Sequence, residues 1–206
     1  MHSGETQRLA IVKLGGSHAR GGRLREWLDA IRGQSGRVVV VPGGGPFADV
    51  VRSMQSEIGF DDAAAHEMAM VAMSQFGRAL QSLRPGFALA GSLEDYAAAL
   101  AVGSTPIWSP ERMALAAKLP ASWDITSDSL AAWLAGKLRA ERLILVKHGA
   151  SSGAARALAA RGVVDPAFPL YFTASQARAF LAAPDEAHRL GEGLDGEAFA
   201  EIGQGV

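Results

Sequence analysis

Apolar residues gather in short runs along this chain, at 9–14, 38–41, 87–90, 105–108 and 143–146, each with turn residues nearby. Brief β-branched or leucine-rich runs without polar alternation are the signature of strands buried on both faces. Between them the apolar positions recur at helical spacing and predict helices over 24–31, 47–58, 63–83, 93–100 and 127–138. The last is marked by Leu130, Trp133, Leu134 and Leu138. Asp61 and Asp62 stand where the third of these helices needs its N-cap. Strand and helix alternate, which predicts an α/β fold: a three-layer αβα sandwich around a mainly parallel sheet, with ligands outside the carboxyl ends of the strands. After Lys147 the pattern weakens. Residues 150–160 are small and Gly/Ser/Ala-rich, 173–182 predicts a helix, and the tail carries five glycines from Gly191 onward, which leaves open whether it folds over a ligand or stays disordered.

Composition narrows the class. With 206 residues, 49% of them hydrophobic, the chain is expected to form a single domain around one core. A formal charge of −1 supplies no field for gathering nucleic acid or an anionic membrane, so a small-molecule partner is expected. The absence of cysteine removes disulfides, thiol nucleophiles and thiolate metal sites. The polar first eight residues lack the apolar core of a secretory signal, and every apolar run is broken well before the roughly 20 residues that span a bilayer. A soluble, cytoplasmic protein is the expectation.

Three segments carry candidate chemistry. In Lys13-Leu-Gly-Gly-Ser17 an apolar strand runs into a lysine and a bare glycine turn, so the backbone N–H groups of Gly15, Gly16 and Ser17 can line one concavity beside a mobile positive charge. Phosphoryl transfer calls for such donors and cations, because its transition state spreads negative charge over several oxygens. In Pro42-Gly-Gly-Gly-Pro46, Gly43, Gly44 and Gly45 remove every side chain ahead of a helix N-terminus, which suits a phosphate or carboxylate. In Trp123-Asp-Ile-Thr-Ser-Asp-Ser129, Asp128 falls in the first turn of a helix. There it either orients Lys13 or complements the macrodipole behind a Thr126 or Ser127 cap.

Competing motifs fail. Gly43-x-Gly45-x-x-Ala48 meets the loose dinucleotide fingerprint, but no acidic residue closes the following strand. No Walker P-loop and no serine-hydrolase elbow occur, and the five histidines are scattered without metal-ligand spacing, so no metal site is expected on the protein itself. Met68, Met70 and Met73 are expected to fill core.

The three segments in this order resemble the amino acid kinase superfamily over roughly residues 8 to 170. Within it, the Ser-Trp-Asp-Ile-Thr-Ser-Asp-Ser string and Gly162-Val-Val-Asp-Pro166 most resemble the branch that contains the aminomethylfuran-methanol phosphate kinase of methanofuran biosynthesis. The resemblance implies an ATP-dependent kinase with Mg²⁺, acting on a small anionic acceptor and assembled as a homo-oligomer. The acceptor-binding part would be about 1–120 and the nucleotide-binding part about 121–206. It implies that Lys13 bridges donor and acceptor phosphoryl groups, that Gly15 and Gly16 bond the transferred phosphate, that Gly43 to Gly45 cradle the acceptor, and that Asp128 organises the lysines. Ser127 and Lys147 are placed on the nucleotide side. Two departures stand out: the family's Val-Asp-Gly segment is Val146-Lys147-His148-Gly149 here, and no lysine follows Lys147, leaving Lys147, Arg156 or Arg161 as substitutes for the usual late lysine. A kinase and a non-catalytic binding or partner subunit both remain open at this point.

Overall fold

A computed structural model describes residues 9–16, 22–149 and 152–205. Its strands are β1 (Ala10–Leu14), β2 (Val38–Pro42), β3 (Phe87–Ala90), β4 (Thr105–Trp108), β5 (Arg142–Val146), β6 (Gly153–Ala154), β7 (Arg178–Ala182) and β8 (Ala200–Gly203). They form one sheet in the order β3-β4-β2-β1-β5-β7-β8-β6, parallel except where β8 runs antiparallel to β7. The helices are α1 (Leu24–Arg32), α2 (Gly45–Ile58), α3 (Asp62–Leu83), α4 (Leu93–Ala101), α5 (Glu111–Ala116), α6 (Ser127–Leu138), α7 (Ala155–Ala160), α8 (Phe168–Ser175) and α9 (Leu190–Asp195). The expected αβα architecture is what forms.

Side-chain alternation along the central strands feeds two separate cores. Ile11, Val39, Leu143 and Leu181 meet α6, α7 and α8 on one face, while Val12, Val40, Ile144 and Phe180 meet α1 and α9 on the other. Lys13 follows Ile11 by two residues and so points to the α6 face, into otherwise apolar surroundings. β1 is paired on both sides, to β2 and to β5, and the chain leaves it toward opposite edges of the sheet. That is the switch point at which open α/β sheets place ligands.

The glycine turns after β1 and β2 pack directly on each other. A Cβ on Gly16 would lie 2.1 Å from Gly45 Cα, and one on Gly43 would lie 2.7 Å from Gly16 N. Gly45 itself has φ +57°, a left-handed conformation natural to glycine. The Gly43 N–H donates to the Leu14 carbonyl at 2.8 Å, carrying the β1–β2 pairing into the turns. Part of the reason for bare glycine here is thus turn-on-turn contact, beyond any ligand's approach.

The C-terminal third departs from expectation. The helix expected over 173–182 does not form: α8 ends at Ser175, Gln176 turns left-handed at φ +60°, and β7 follows. Alanines favour a helix locally, but β7 lies between β5 and β8 with its last four residues buried, and sheet pairing overrides that propensity. The glycine-rich tail, whose order the sequence leaves open, forms α9 and then β8, whose Ile202 is buried. Met70 and Met73 are buried as expected, whereas Met68 is exposed on the outer side of α3. No helix among the described residues is long and apolar enough to cross a membrane.

We predict that Gly16→Ala, which drives a methyl into the Gly45 backbone, lowers the unfolding free energy by about 1–3 kcal/mol, read by urea titration. Unchanged stability would show that the two turns separate without cost.

Candidate active site

Lys13 near the end of β1 is only 4% exposed, and a buried ammonium is costly unless paired. Its partner is Asp128, 2% exposed, in the first turn of α6. Lys13 Nζ lies 2.8 Å from Asp128 Oδ1. Lys147, one residue past β5, donates from Nζ to Asp128 Oδ2 at 2.5 Å. One carboxylate therefore spans two strands' worth of cation, and the three charges together leave a net positive group at the carboxyl edge of the sheet, beside both glycine turns.

The electrostatics follow from burial. Loss of water alone would push the Asp128 carboxyl up, but the Lys13 and Lys147 ammonium groups outweigh it and hold it below the usual carboxylate range. Burial, with the Lys13 charge nearby, pulls the Lys147 ammonium below its ordinary value, against the opposing pull of Asp128 and, more weakly, of Asp165.

The start of α6 is held from outside the helix. Neither Thr126 nor Ser127 caps it: Thr126 sits at the N-cap position with no capping bond from its own side chain. The carboxylate of Asp165, in the loop between α7 and α8, does this instead. Its Oδ2 accepts from Thr126 N at 2.9 Å, Thr126 Oγ1 at 2.8 Å and Ser129 N at 3.0 Å, and its Oδ1 accepts from Ser129 Oγ. A negative charge here also complements the helix dipole. The loop is secured again where Ala167 N donates to Asp124 O at 3.0 Å. Asp165 escapes motif reasoning because it caps a helix 36 residues away in sequence. The only local signal is its place before Pro166 in the 162–166 segment.

Beside this group lies a cavity of about 470 Å³, walled by the glycine turns, by α2 and α3, and by 122–130. Gly16, Gly44, Gly45 and Ser127 open onto it. Ser127 thus shares the cavity of Gly44 and Gly45, whereas Lys13, Asp128 and Lys147 do not line it. Ser17 lies outside the described residues. Its size suits a small organic molecule, and its walls mix apolar Met70, Met73, Ile125 and Leu130 with Asp62, His66 and Trp123. Sequence reasoning assigned no role to His66, whose burial only the tertiary fold reveals. Among the described residues no group of three His, Asp or Glu side chains is arranged to hold a metal ion.

We predict that Asp165→Ala lowers the unfolding free energy by roughly 2–4 kcal/mol, because buried donors at the α6 start lose their acceptor. Asp165→Asn, which keeps one acceptor oxygen, recovers part of it. Equilibrium denaturation measures both, and a loss under about 0.5 kcal/mol for Asp165→Ala would remove the capping role.

Comparison with known proteins agrees with this architecture. A uridylate kinase from Archaeoglobus fulgidus superposes with a TM-score of 0.70 at 18% identity, covering 94% of this chain and 99% of that one. An isopentenyl phosphate kinase from T. acidophilum superposes with a TM-score of 0.57 at 14% identity, covering 94% and 99%. These likenesses establish the fold. In sequence, the chain is 29% identical over 140 residues to the (5-(aminomethyl)furan-3-yl)methyl phosphate kinase of Methanocaldococcus jannaschii. That match spans 66% of this chain and 63% of the relative's own length. The sequence pattern described as the amino acid kinase family matches residues 8–150, which contain both glycine turns, Lys13, Asp128 and Lys147. The chain belongs to the amino acid kinase family.

Proposed function

We propose that this protein is an ATP-dependent phosphotransferase. Its acceptor is the phosphate of an aminomethylfuran-methanol phosphate, and its product is the diphosphate. The observation that carries the reading is the buried Lys13–Asp128–Lys147 group, net positive and set beside two turns stripped of side chains. The acceptor class follows the sequence relative.

An oxygen of the acceptor phosphate attacks the γ-phosphorus of ATP, the bond from that phosphorus to the β-bridging oxygen breaks, and ADP leaves with the electron pair. A phosphate monoester is largely ionised at neutral pH, its second pKa being about 6, so no general base is required. Lys13 and Lys147 oppose the charge that builds on the oxygens around the transferred phosphorus. Asp128 does not touch reacting atoms. It keeps two mutually repelling ammonium groups in place and charged. Backbone N–H groups at Gly15, Gly16, Gly44 and Gly45 hold phosphate oxygens, assisted by the α2 N-terminus, while the Gly43 N–H is spent on the Leu14 carbonyl and Gly43 serves the acceptor cradle by its missing side chain. Both oxygens of Asp128 are taken by lysines, so the Mg²⁺ of the donor would be held chiefly by the nucleotide's own phosphates.

Residues 1–206 are proposed to work as one domain, with acceptor contacts before about residue 120 and nucleotide contacts after it. The cytoplasm, where ATP is supplied, is the proposed compartment. Exposed Phe47, Val50, Met68 and Val71 on the outer side of α2 and α3 support a homo-oligomer, because a contiguous apolar face suits a second copy of the chain.

The competing reading, a non-catalytic binding or partner subunit, draws on the missing Val-Asp-Gly aspartate at 146–149. Release of ADP from Mg·ATP decides between them, tested with aminomethylfuran-methanol phosphate, UMP, acetylglutamate and isopentenyl phosphate. We expect turnover with the furan phosphate, and silence with every acceptor would favour the subunit.

Lys13→Ala should lower kcat by about 10²–10³-fold while changing nucleotide affinity far less. Equal kcat would remove Lys13 from the chemistry. Lys147 adds a pH dependence. Its ammonium is held below the ordinary 10.5, so charge, and with it rate, is lost as pH rises toward that value. We predict an alkaline limb in kcat below pH 10.5 that moves to higher pH in Lys147→Arg, whose guanidinium keeps its proton. An unmoved limb would assign the titration elsewhere.

A further inference from the structure

The cavity has two chemically different ends, and phosphoryl transfer accounts for one. α3 lays Asp62, Ala65, His66, Ala69, Met70 and Met73 along it, the spacing of a single helical face. Phe76, one turn further on, meets Gly45, since a Cβ on that glycine would stand 3.5 Å from its ring. The C-terminal part of this face therefore borders the phosphate-binding turns. His66 lies toward the other end, about 10 Å of helix axis before Met73 at 1.5 Å per residue.

That far end is polar and organised. Trp123 Nε1 donates to Gln55 Oε1 at 2.7 Å, and Gln55 Nε2 donates to Asp62 Oδ1 at 2.8 Å, which orients the carboxylate while using one of its oxygens. Arg52 packs over the Trp123 ring at 4.1 Å and lies 3.6 Å from Asp49. Among the described residues lining the cavity Arg52 is the one cationic side chain and it pairs with Asp49, so Asp62 faces the cavity without a cationic partner, and the Lys13–Asp128–Lys147 group lies outside the lining. His66 lines the cavity at 8% exposure, and its Nε2 has no hydrogen-bond partner. Burial lowers its affinity for a proton despite neighbouring Glu67, so it is a neutral imidazole with a lone pair to offer. A buried nitrogen left unpaired is costly, and a ligand donor would satisfy it.

We infer that this end of the cavity recognises a primary ammonium group on the acceptor, His66 accepting one N–H after its ring turns about the Cβ–Cγ bond, and Asp62 facing the charge. The inference rests on the reading of an aminomethylfuran-methanol phosphate acceptor and adds which side chains read its amine. Phosphate at the glycine turns and ammonium at His66 together fix the direction and length of the substrate, and an acceptor without the amine forfeits the second anchor.

Calorimetry on the full chain without nucleotide tests this, comparing (5-(aminomethyl)furan-3-yl)methyl phosphate with furan-3-ylmethyl phosphate. The wild type should bind the amine about tenfold or more tightly than its counterpart, as one charge-assisted hydrogen bond implies. That ratio should fall below about threefold in His66→Leu, fall partly in Asp62→Asn, and survive best in His66→Gln, which keeps an acceptor. A wild-type ratio near one, binding of neither compound, or tighter binding of an analogue with a carboxylate in place of the amine would overturn the inference. The last outcome would make Arg52 the reader. Amine discrimination without any turnover would defeat only the phosphotransfer reading, whereas equal kcat/KM for both compounds would defeat only this one.

Discussion

Two ammonium groups brought to one end of a buried sheet repel each other and resist leaving water, and only a carboxylate between them makes the arrangement tenable. Asp128 takes that position, with Lys13 on one oxygen and Lys147 on the other. The pairing is not stoichiometric. Among the described residues no second carboxylate forms a direct ion pair with either lysine, although Asp165 stands near enough to favour the charged form of Lys147, and an arriving phosphate completes the pairing. The buried group is therefore better regarded as an incomplete ionic cluster than as a stabilising salt bridge, in keeping with the modest or adverse contribution of buried ion pairs to folding.

The surrounding elements keep that cluster in register. Alternation along β1 sends Lys13 to the α6 face, and a one-residue slip would bury it among the leucines and phenylalanines of the opposite core. Asp165 fixes the start of α6 and so the height of Asp128 above the sheet. The glycine turns lock by backbone contact, which holds the ends of β1 and β2 in a fixed relation. Strand phase, helix cap and turn packing are different forces, yet each bears on the position of the same few atoms.

Much of this was legible in the sequence where the signal is local. The strands 87–90 and 105–108 and the helix 127–138 match the structure residue for residue, because short strand-forming runs bounded by turn residues, and core spacing in the helix, survive into the fold. Lys13, Asp128 and the glycine turns could be picked out by residue type. Tertiary facts could not. β7 is alanine-rich and becomes a strand only because β5 and β8 flank it, and Asp165 caps a helix far from it in sequence. His66 is one histidine among five until the cavity forms around it. Resemblance implied a place for Ser127 with the nucleotide, and in the fold it lines the same cavity as Gly44 and Gly45.

The charged cluster stands where the carboxyl edge of the sheet meets the start of α6, while the cavity's far wall stands on the antiparallel pair α2 and α3, which reverses at Gly59 with φ +83°. The far end of the helix pair is tied to the segment leading into α6 by the Trp123–Gln55 hydrogen bond, and among the described residues no strand reaches it. Lengthening both helices by one turn would move the reversal, and whatever side chains it carries, about 5.4 Å from the phosphate end without disturbing a strand. The hairpin is in effect an adjustable gauge mounted on a fixed reaction centre, so related chains could accept longer or shorter molecules by inserting or deleting turns rather than rebuilding their chemistry.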